Sequence, residues 1–509
     1  MAGESITAEE SSFIPGRIAE RLTLGTGLIL LATGLFFYLK AFEDALVDDV
    51  FINLQYARTL LESGSWGWFP GQVGNAATSP ANIVILAVFG FLTGGDFVAA
   101  VIWSTWTACL LLLPLAVQLS RQATGRSVAG FVAWLALVAN PLLTSSAGLE
   151  SHWLSVGILA MVQARLAGHE RWLGVVAGLT VLVRPDAGVL FLLLIVGWPR
   201  RSQIRSGLPF ALITAAWLFF SWRFLGSLVP DTLFIKKIQG DDWGTSLANG
   251  LSLFARTFPF EVYTSFLLLP AALALIGICK ESLLALAVRL LAILALGHFV
   301  SYVLLGVAAY HWYYAPLVLV SAVLGGLGVD RLWASGQWAR RLVALAFSMA
   351  PVLAMAGWMT VNGPLPDQMP IHTNFGTHGQ YKAIGLKLAE LDPDSGILQK
   401  IEIGTIGFYC RCPVYDLFSD RRLFGRYVRE ITSRYRISAL FYRLNFYHFQ
   451  ADDDRVHYPP VRYQVLERRV GSGATAKEVM RFTVRSRWLP NGTDLALEKF
   501  GSHAGEGQN

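Results

Sequence analysis

Apolar stretches of 16 to 23 residues recur along the first 360 positions, separated by short polar segments. A run of that length with few charges reads as a membrane-spanning helix. The runs fall at roughly 22–42, 97–119, 127–146, 153–168, 207–226, 263–279, 285–306, 313–329 and 341–361. Two segments depart from the pattern. Residues 81–93 are apolar but too short to span, and read as a helix lying at the outer interface. Residues 172–198 are apolar but interrupted by Arg184-Pro185-Asp186, which predicts two half-helices that turn at the break.

Charge fixes the orientation. The basic groups Arg17/Arg21, Arg121/Arg126, Arg171, Arg200/Arg201/Arg205, Lys280 and Arg331/Arg340/Arg341 all fall on one side if nine runs cross and 172–198 enters and returns. By the positive-inside rule that side is cytoplasmic. The reading is an α-helical polytopic membrane protein of about eleven membrane helices, the broken pair included. Its N-terminus is inside, and the segment after about residue 362 is outside. The first external loop, 43–96, carries Glu43, Asp44, Asp48, Asp49, Glu62 and Asp96 against a single Arg58. The sequence shows no convincing repeat, which weighs against a transporter built from inverted repeats.

Composition agrees with a membrane protein: 54% of the 509 residues are hydrophobic and 15% charged. The charges are uneven, with 20 of 41 basic and 16 of 35 acidic residues between Gly363 and Asn509. The chain therefore divides into a membrane domain, 1–362, and a soluble domain, 363–509. In the latter, Tyr381–Leu391 reads as an amphipathic helix and Gly396–Phe408 as a strand. Tyr427–Ile437 reads as a basic helix, and Ser438–Tyr442, Tyr463–Leu466 and Val479–Val484 as strands, giving an α/β domain. The net charge of +6 is scattered, so no nucleic-acid partner is expected. Cys109 and Cys279 sit in apolar runs as packing residues, and Cys410-x-Cys412 matches neither zinc nor thioredoxin spacing. The polar first 21 residues and long first apolar run read as an anchor, with no cleavable signal.

The candidate chemistry begins at Val47-Asp48-Asp49-Val50, just after the first helix. Adjacent acids at a membrane surface suit acid–base work at a pocket mouth. An isolated pair would more simply be helix-terminal acids facing water. Here the loop continues through Tyr56-Ala57-Arg58, an aromatic turn Gly64–Pro70, and Thr78-Ser79-Pro80. This order resembles the GT-C glycosyltransferases, integral membrane enzymes that use polyprenyl-phosphate-linked sugars. Gly148-Leu149-Glu150-Ser151 is similar to the family's Gly-Met-Glu-Thr, and Arg184-Pro185-Asp186-Ala187 to its Arg-Pro-(Asp/Glu)-Gly. Phe224-Leu225-Gly226 is similar to its Phe-Gly, with a leucine inserted. Pro230-Asp231-Thr232 and Lys236-Lys237 resemble its Gly…Pro-Asn-Thr…Lys loop. Glu402–Gly407 with Asp416-Leu417 resembles the start of its external domain. The substitutions remove no charged group.

The resemblance implies an inverting glycosyltransferase of the bacterial inner membrane, with a GT-C fold and its soluble domain outside. It would move one sugar from a polyprenyl monophosphate to an envelope glycan or a protein such as a pilin. The nearest resemblance is to arabinofuranosyl and mannosyl transferases, which favours arabinofuranose. One of Asp48 and Asp49 would be the general base, Asp48 being slightly preferred. Lys236, Lys237, Arg184 and His311 are candidates for the donor phosphate, set against headgroup pairing for the lysines, a structural salt bridge for Arg184 and an aromatic belt for His311. Glu150, Arg58, Tyr313 and Trp66 are candidates for sugar or acceptor, with helix capping and lipid anchoring as the plainer readings. No cofactor is expected. A divalent metal stays open, because Asp44, Asp48, Asp49 and Asp231 offer hard oxygen ligands. The alternatives are an oligosaccharyltransferase or ligase taking a diphosphate-linked glycan, a lipid-linked-sugar transporter or flippase, and a non-catalytic assembly partner.

Overall fold

The computed structural model describes residues 26–278, 283–391, 395–399, 402–434, 436–450 and 458–500. Arg17, Arg21, Cys279 and Lys280 lie outside the described residues. Among the described residues six helices are long and apolar enough to cross a membrane: Thr26–Ala45, Phe97–Thr124, Arg200–Leu225, Leu283–Leu305, His311–Ala334 and Trp338–Asn362. Val128–Val138 and Pro259–Leu273 are shorter apolar helices, as is Pro80–Leu92, the predicted interfacial segment. Thirteen residues in that last helix reach about 20 Å, less than the hydrocarbon thickness of about 30 Å.

The apolar run broken by Arg184-Pro185-Asp186 forms two helices, Glu170–Val183 and Ala187–Ile195. Arg184 is extended at φ −152°, and its amide still bonds Thr180 O before Pro185, which has no donor, ends the ladder. The helix Ala315–Ala334 is buried along nearly its whole length at the centre of the bundle. Small residues let it pack there: a Cβ on Gly326 would lie 2.4 Å from the carbonyl oxygen of Ala129.

The C-terminal part carries a five-stranded mixed sheet of β1 (Gly396–Gln399), β2 (Val414–Tyr415), β3 (Val461–Arg468), β4 (Glu478–Val484) and β5 (Thr493–Lys499). The order is β2-β1-β3-β5-β4. β1 runs parallel to β2 and β3, while β5 is antiparallel to both β3 and β4. Tyr381, Ile384 and Leu388 from the helix His378–Leu388 pack on one face of it with Ile397, Leu495 and Leu497.

Two expectations fail here. The strand expected over Gly396–Phe408 ends at Gln399, and Ile403–Cys410 is a helix. Gly404 and Gly407 give that helix a smooth face: a Cβ on Gly404 would lie 2.1 Å from Asp48 O. Ser438–Tyr442 belongs to a helix, Arg436–Asn445, not to a strand. Its apolar residues Leu440, Phe441 and Leu444 follow helical spacing. Cys410 and Cys412 are joined as a disulfide.

Candidate functional site

The site is organised by the helix Asp48–Ser63. Asp48 and Asp49 occupy its first turn, where carboxylates meet the positive end of the helix dipole. Successive residues on a helix point about 100° apart. The two acids therefore face different surroundings.

Asp48 points into the C-terminal domain. Its side chain is buried, and its Oδ2 and Oδ1 accept the amides of Gly404 at 2.9 Å and Thr405 at 2.6 Å. These are orphan donors at the start of the helix Ile403–Cys410, so Asp48 caps a helix some 350 residues away. Asn374 Oδ1 accepts the Asp48 amide, while Asn374 Nδ2 and the Phe375 amide donate to Glu402 Oε1. Glu402 itself holds a left-handed φ of 51°, rare for a residue with a side chain. Burial pushes the Asp48 carboxyl up to about 6, with the Thr405 and Gly404 amides pulling against it and Asp49 adding to it. Burial, then the neighbouring Asp48, holds Glu402 well above the usual carboxylate range. Burial also pushes Asp416 up to about 7.

Asp49 points the other way. It lines a cavity of about 280 Å³ bounded by the segments Ala76–Ser79 and Val229–Lys236 and by the break at Arg184–Asp186. Its Oδ1 accepts from Lys236 Nζ at 3.2 Å, and its side chain keeps 24% exposure. Lys236 comes from the helix Asp231–Trp243. Its ammonium lies 4.2 Å from the ring centre of Tyr310 and 5.0 Å from that of Trp312. An ammonium over aromatic faces is held by their quadrupoles. Burial opposes its charge, but Asp49, Tyr310 and Glu150 together raise the ammonium above its ordinary value.

The floor is a buried ionic network. Arg184 donates to Glu150 Oε1 at 3.0 Å, to Asp186 Oδ1 at 2.9 Å and to the hydroxyl of Tyr302. His298 Nδ1 lies 3.1 Å from Asp186 Oδ2, and its Nε2 faces Tyr313 O at 2.8 Å. The Arg184 guanidinium sits 4.8 Å from the Tyr313 ring centre. Removing one member of such a network strands a charge in a dry interior.

The cavity thus brings together Asp49, Lys236, Arg184, Glu150 and Tyr313. Five other candidates lie away from its lining. Asp48 is held by the C-terminal domain, as described. Lys237, one residue further along the helix, is exposed and does not line the cavity. His311 is buried, its Nε2 near Ser145 O at 3.2 Å and its ring edge-on to Phe254. Arg58 donates to Phe408 O at 2.9 Å and to Gln55, and stacks on the Phe408 ring. Trp66 packs against Tyr56 and Trp217. Glu150 does not cap the helix that follows it. Sequence reasoning missed His298 and Tyr302. A histidine inside the apolar run 285–306 was the available signal for the first. A tyrosine in such a run carries none.

The four carboxylates considered as metal ligands are each engaged elsewhere or apart. Asp231 accepts from Ser227 Oγ at 2.7 Å and lies 3.9 Å from Arg421, while burial raises its carboxyl. Among the described residues no three acidic, histidine or cysteine side chains converge as a metal site.

No family model and no curated protein matches the chain. Solved structures do match its fold. The crystal structure of ArnT from Cupriavidus metallidurans, bound to undecaprenyl phosphate, is 14% identical with a TM-score of 0.57. The match covers 92% of this chain and 98% of that one. The Archaeoglobus fulgidus oligosaccharyltransferase, tethered to an acceptor peptide, is 13% identical with a TM-score of 0.51, over 86% and 69% of the two chains. At such identities the likeness speaks for the fold alone. The chain has the multi-pass membrane fold of ArnT, with Asp49 and the helix break at Arg184–Asp186 meeting at one cavity.

Proposed function

We propose that the protein is an inverting GT-C glycosyltransferase of a bacterial inner membrane. It moves one sugar from a polyprenyl-monophosphate donor to an acceptor hydroxyl on the outer face. The observation that carries this reading is the Asp49–Lys236 pair, 3.2 Å apart in a cavity of an ArnT-like fold. A base for the acceptor and a cation for the phosphate stand side by side, and each is the other's partner while the site waits.

In this reading the donor phosphate takes over Lys236 and releases Asp49. The acceptor hydroxyl gives its proton to Asp49 as its oxygen bonds the anomeric carbon. The bond from that carbon to the phosphate oxygen breaks, the electron pair stays on the phosphate, and Lys236 meets the charge. One displacement inverts the configuration. Arg184, only 1% exposed and committed to three partners, builds the floor and steadies Glu150 and Tyr313 against the sugar. Asp48 ties the outer domain to the helix that carries the base. The charge requirement is met by Lys236, so the reaction as drawn invokes no metal. Arabinofuranose is the sugar we favour, with an envelope glycan or a pilin-type protein as acceptor. The topology in this reading is eleven membrane helices in 1–362, with 363–509 outside.

Mass spectrometry of polyprenyl lipids tests the reading. Cells lacking the protein, or carrying Asp49→Asn, should accumulate one polyprenyl-monophosphate sugar whose mass separates pentose from hexose. Accumulation of a diphosphate-linked glycan would replace it with the ligase reading. An unchanged lipid pool in both strains would overturn it.

A further inference from the structure

The outer domain carries an apolar face that its own core does not use. The helix Arg436–Asn445 and the residues after it leave Leu440 at 64%, Phe441 at 49%, Leu444 at 56% and Tyr447 at 71% exposure. Side chains of this size are normally buried, and a contiguous exposed group of them marks an interaction surface.

Its position says what covers it. Trp222 Nε1 donates to Leu444 O at 2.7 Å, and the indole stacks on Tyr447 with ring centres 6.1 Å apart. Trp222 lies near the outer end of the helix Arg200–Leu225, a candidate membrane span. That helix exposes Leu208, Leu212, Phe219, Phe220 and Phe224 along its length, as a lipid-facing helix does. From Arg205 to Trp222 is 17 residues, or about 26 Å at the helical rise. With Arg205 at the inner boundary of a hydrocarbon layer of about 30 Å, Trp222 sits close to the outer boundary. The exposed face is therefore level with, and continuous with, the lipid-facing surface beside it. Arg443 on the same helix and Arg223 on the span are both exposed at this level. Apolar side chains rimmed by arginines match the boundary between acyl chains and anionic headgroups.

We propose that Arg436–Tyr447 is a membrane-surface anchor, seated in the outer leaflet at the headgroup–acyl boundary. The anchor is coupled to the cavity. Phe446, Phe424 and Val428 of the outer domain form one small core with Phe234 and Ile235. The last two residues immediately precede Lys236 on its helix. Lipid contact at Phe441 and Leu444 thus sets the level at which that helix rides over the bilayer. The anchor does not depend on the transferase reading.

The test is photo-crosslinking in nanodiscs of phosphatidylethanolamine and phosphatidylglycerol. A benzoylphenylalanine replaces Phe441 or Tyr447 in separate full-length proteins, with a control at Lys477, an exposed residue just before β4. Both positions are exposed, so neither probe disturbs a core. Mass spectrometry should find phospholipid adducts at both positions several-fold above the Lys477 control. Adduct yields no higher than the control would overturn the proposal. So would adducts at Phe441 and Tyr447 that join two copies of the chain rather than chain and lipid.

Discussion

The contact between the C-terminal domain and the helix Asp48–Ser63 should respond to pH through Asp48. Its carboxyl is raised from 3.8 to about 6 in the folded protein, chiefly by burial. A carboxyl raised on folding contributes stability that is full below its unfolded value and lost as pH rises through its folded value. Acidification from pH 8 towards pH 4 should therefore strengthen this contact. The shift of about two pK units corresponds to about 3 kcal/mol over the whole range, of which about 1–2 kcal/mol is gained by pH 5. Glu402, raised partly by the Asp48 charge, works in the same sense. The buried His372 and His378 work against it, since burial lowers both to about 4 and they must charge on unfolding in acid. The total pH profile therefore mixes signs, and the informative quantity is the difference between wild type and Asp48→Asn. That variant cannot titrate at this position, and it presents an amide N–H to one of two backbone donors. The assay is thermal unfolding of both proteins in nanodiscs from pH 5 to pH 8. Wild type should gain on the variant as pH falls, by about 2–4 °C in apparent Tm for each kcal/mol in a domain of this size. A Tm difference, wild type minus variant, that is flat with pH or that falls on acidification would refute the burial argument.

Other consequences follow from the same contacts. Lys236→Met should lower turnover by about 10²–10³-fold by removing the leaving-group cation, with Lys236→Arg partly active, measured as release of polyprenyl phosphate. Arg184→Met should destabilise the membrane domain by about 3–5 kcal/mol, because Glu150 and Asp186 lose their common partner; loss of folded protein in detergent size-exclusion would show it. Gly404→Val forces a side chain onto Asp48 O and should free the C-terminal domain, read as faster proteolysis between the helix Trp338–Asn362 and β1. Cys410 and Cys412 should react with a membrane-impermeant maleimide in intact spheroplasts only after reduction, and protection from outside would reverse the orientation.

The multi-pass membrane character was legible because the bilayer imposes a length rule that acts locally. The helix break at Arg184-Pro185-Asp186 was legible for the same reason: two charges and a proline inside an apolar run have few other meanings. The segment Glu402–Phe408 misled because its alternation mimics a strand. What makes Ile403–Cys410 helical is a cap supplied by Asp48, a contact no local pattern records. β5 was missed because Thr493–Lys499 places charges on a strand buried between β3 and β4, where Arg468 and Arg481 pair with Glu498 and Asp494. For the site, the pair Asp48-Asp49 stood out by residue type. Which acid faces the cavity depended on the 100° step of a helix and on what packs against each side. Lys236 and Lys237 were separated by the same geometry.

The most direct test of the account is single-turnover transfer by purified Asp49→Asn in nanodiscs, using a synthetic polyprenyl-monophosphate pentose and, in parallel, the hexose. Asp49 has one ion-pair partner and is partly exposed, so the variant should keep its fold, with an apparent Tm close to that of the wild type. Loss of a general base predicts a fall of about 10²–10⁴-fold in the chemical step with donor binding retained. Wild-type transfer rates in a folded Asp49→Asn protein would contradict the account.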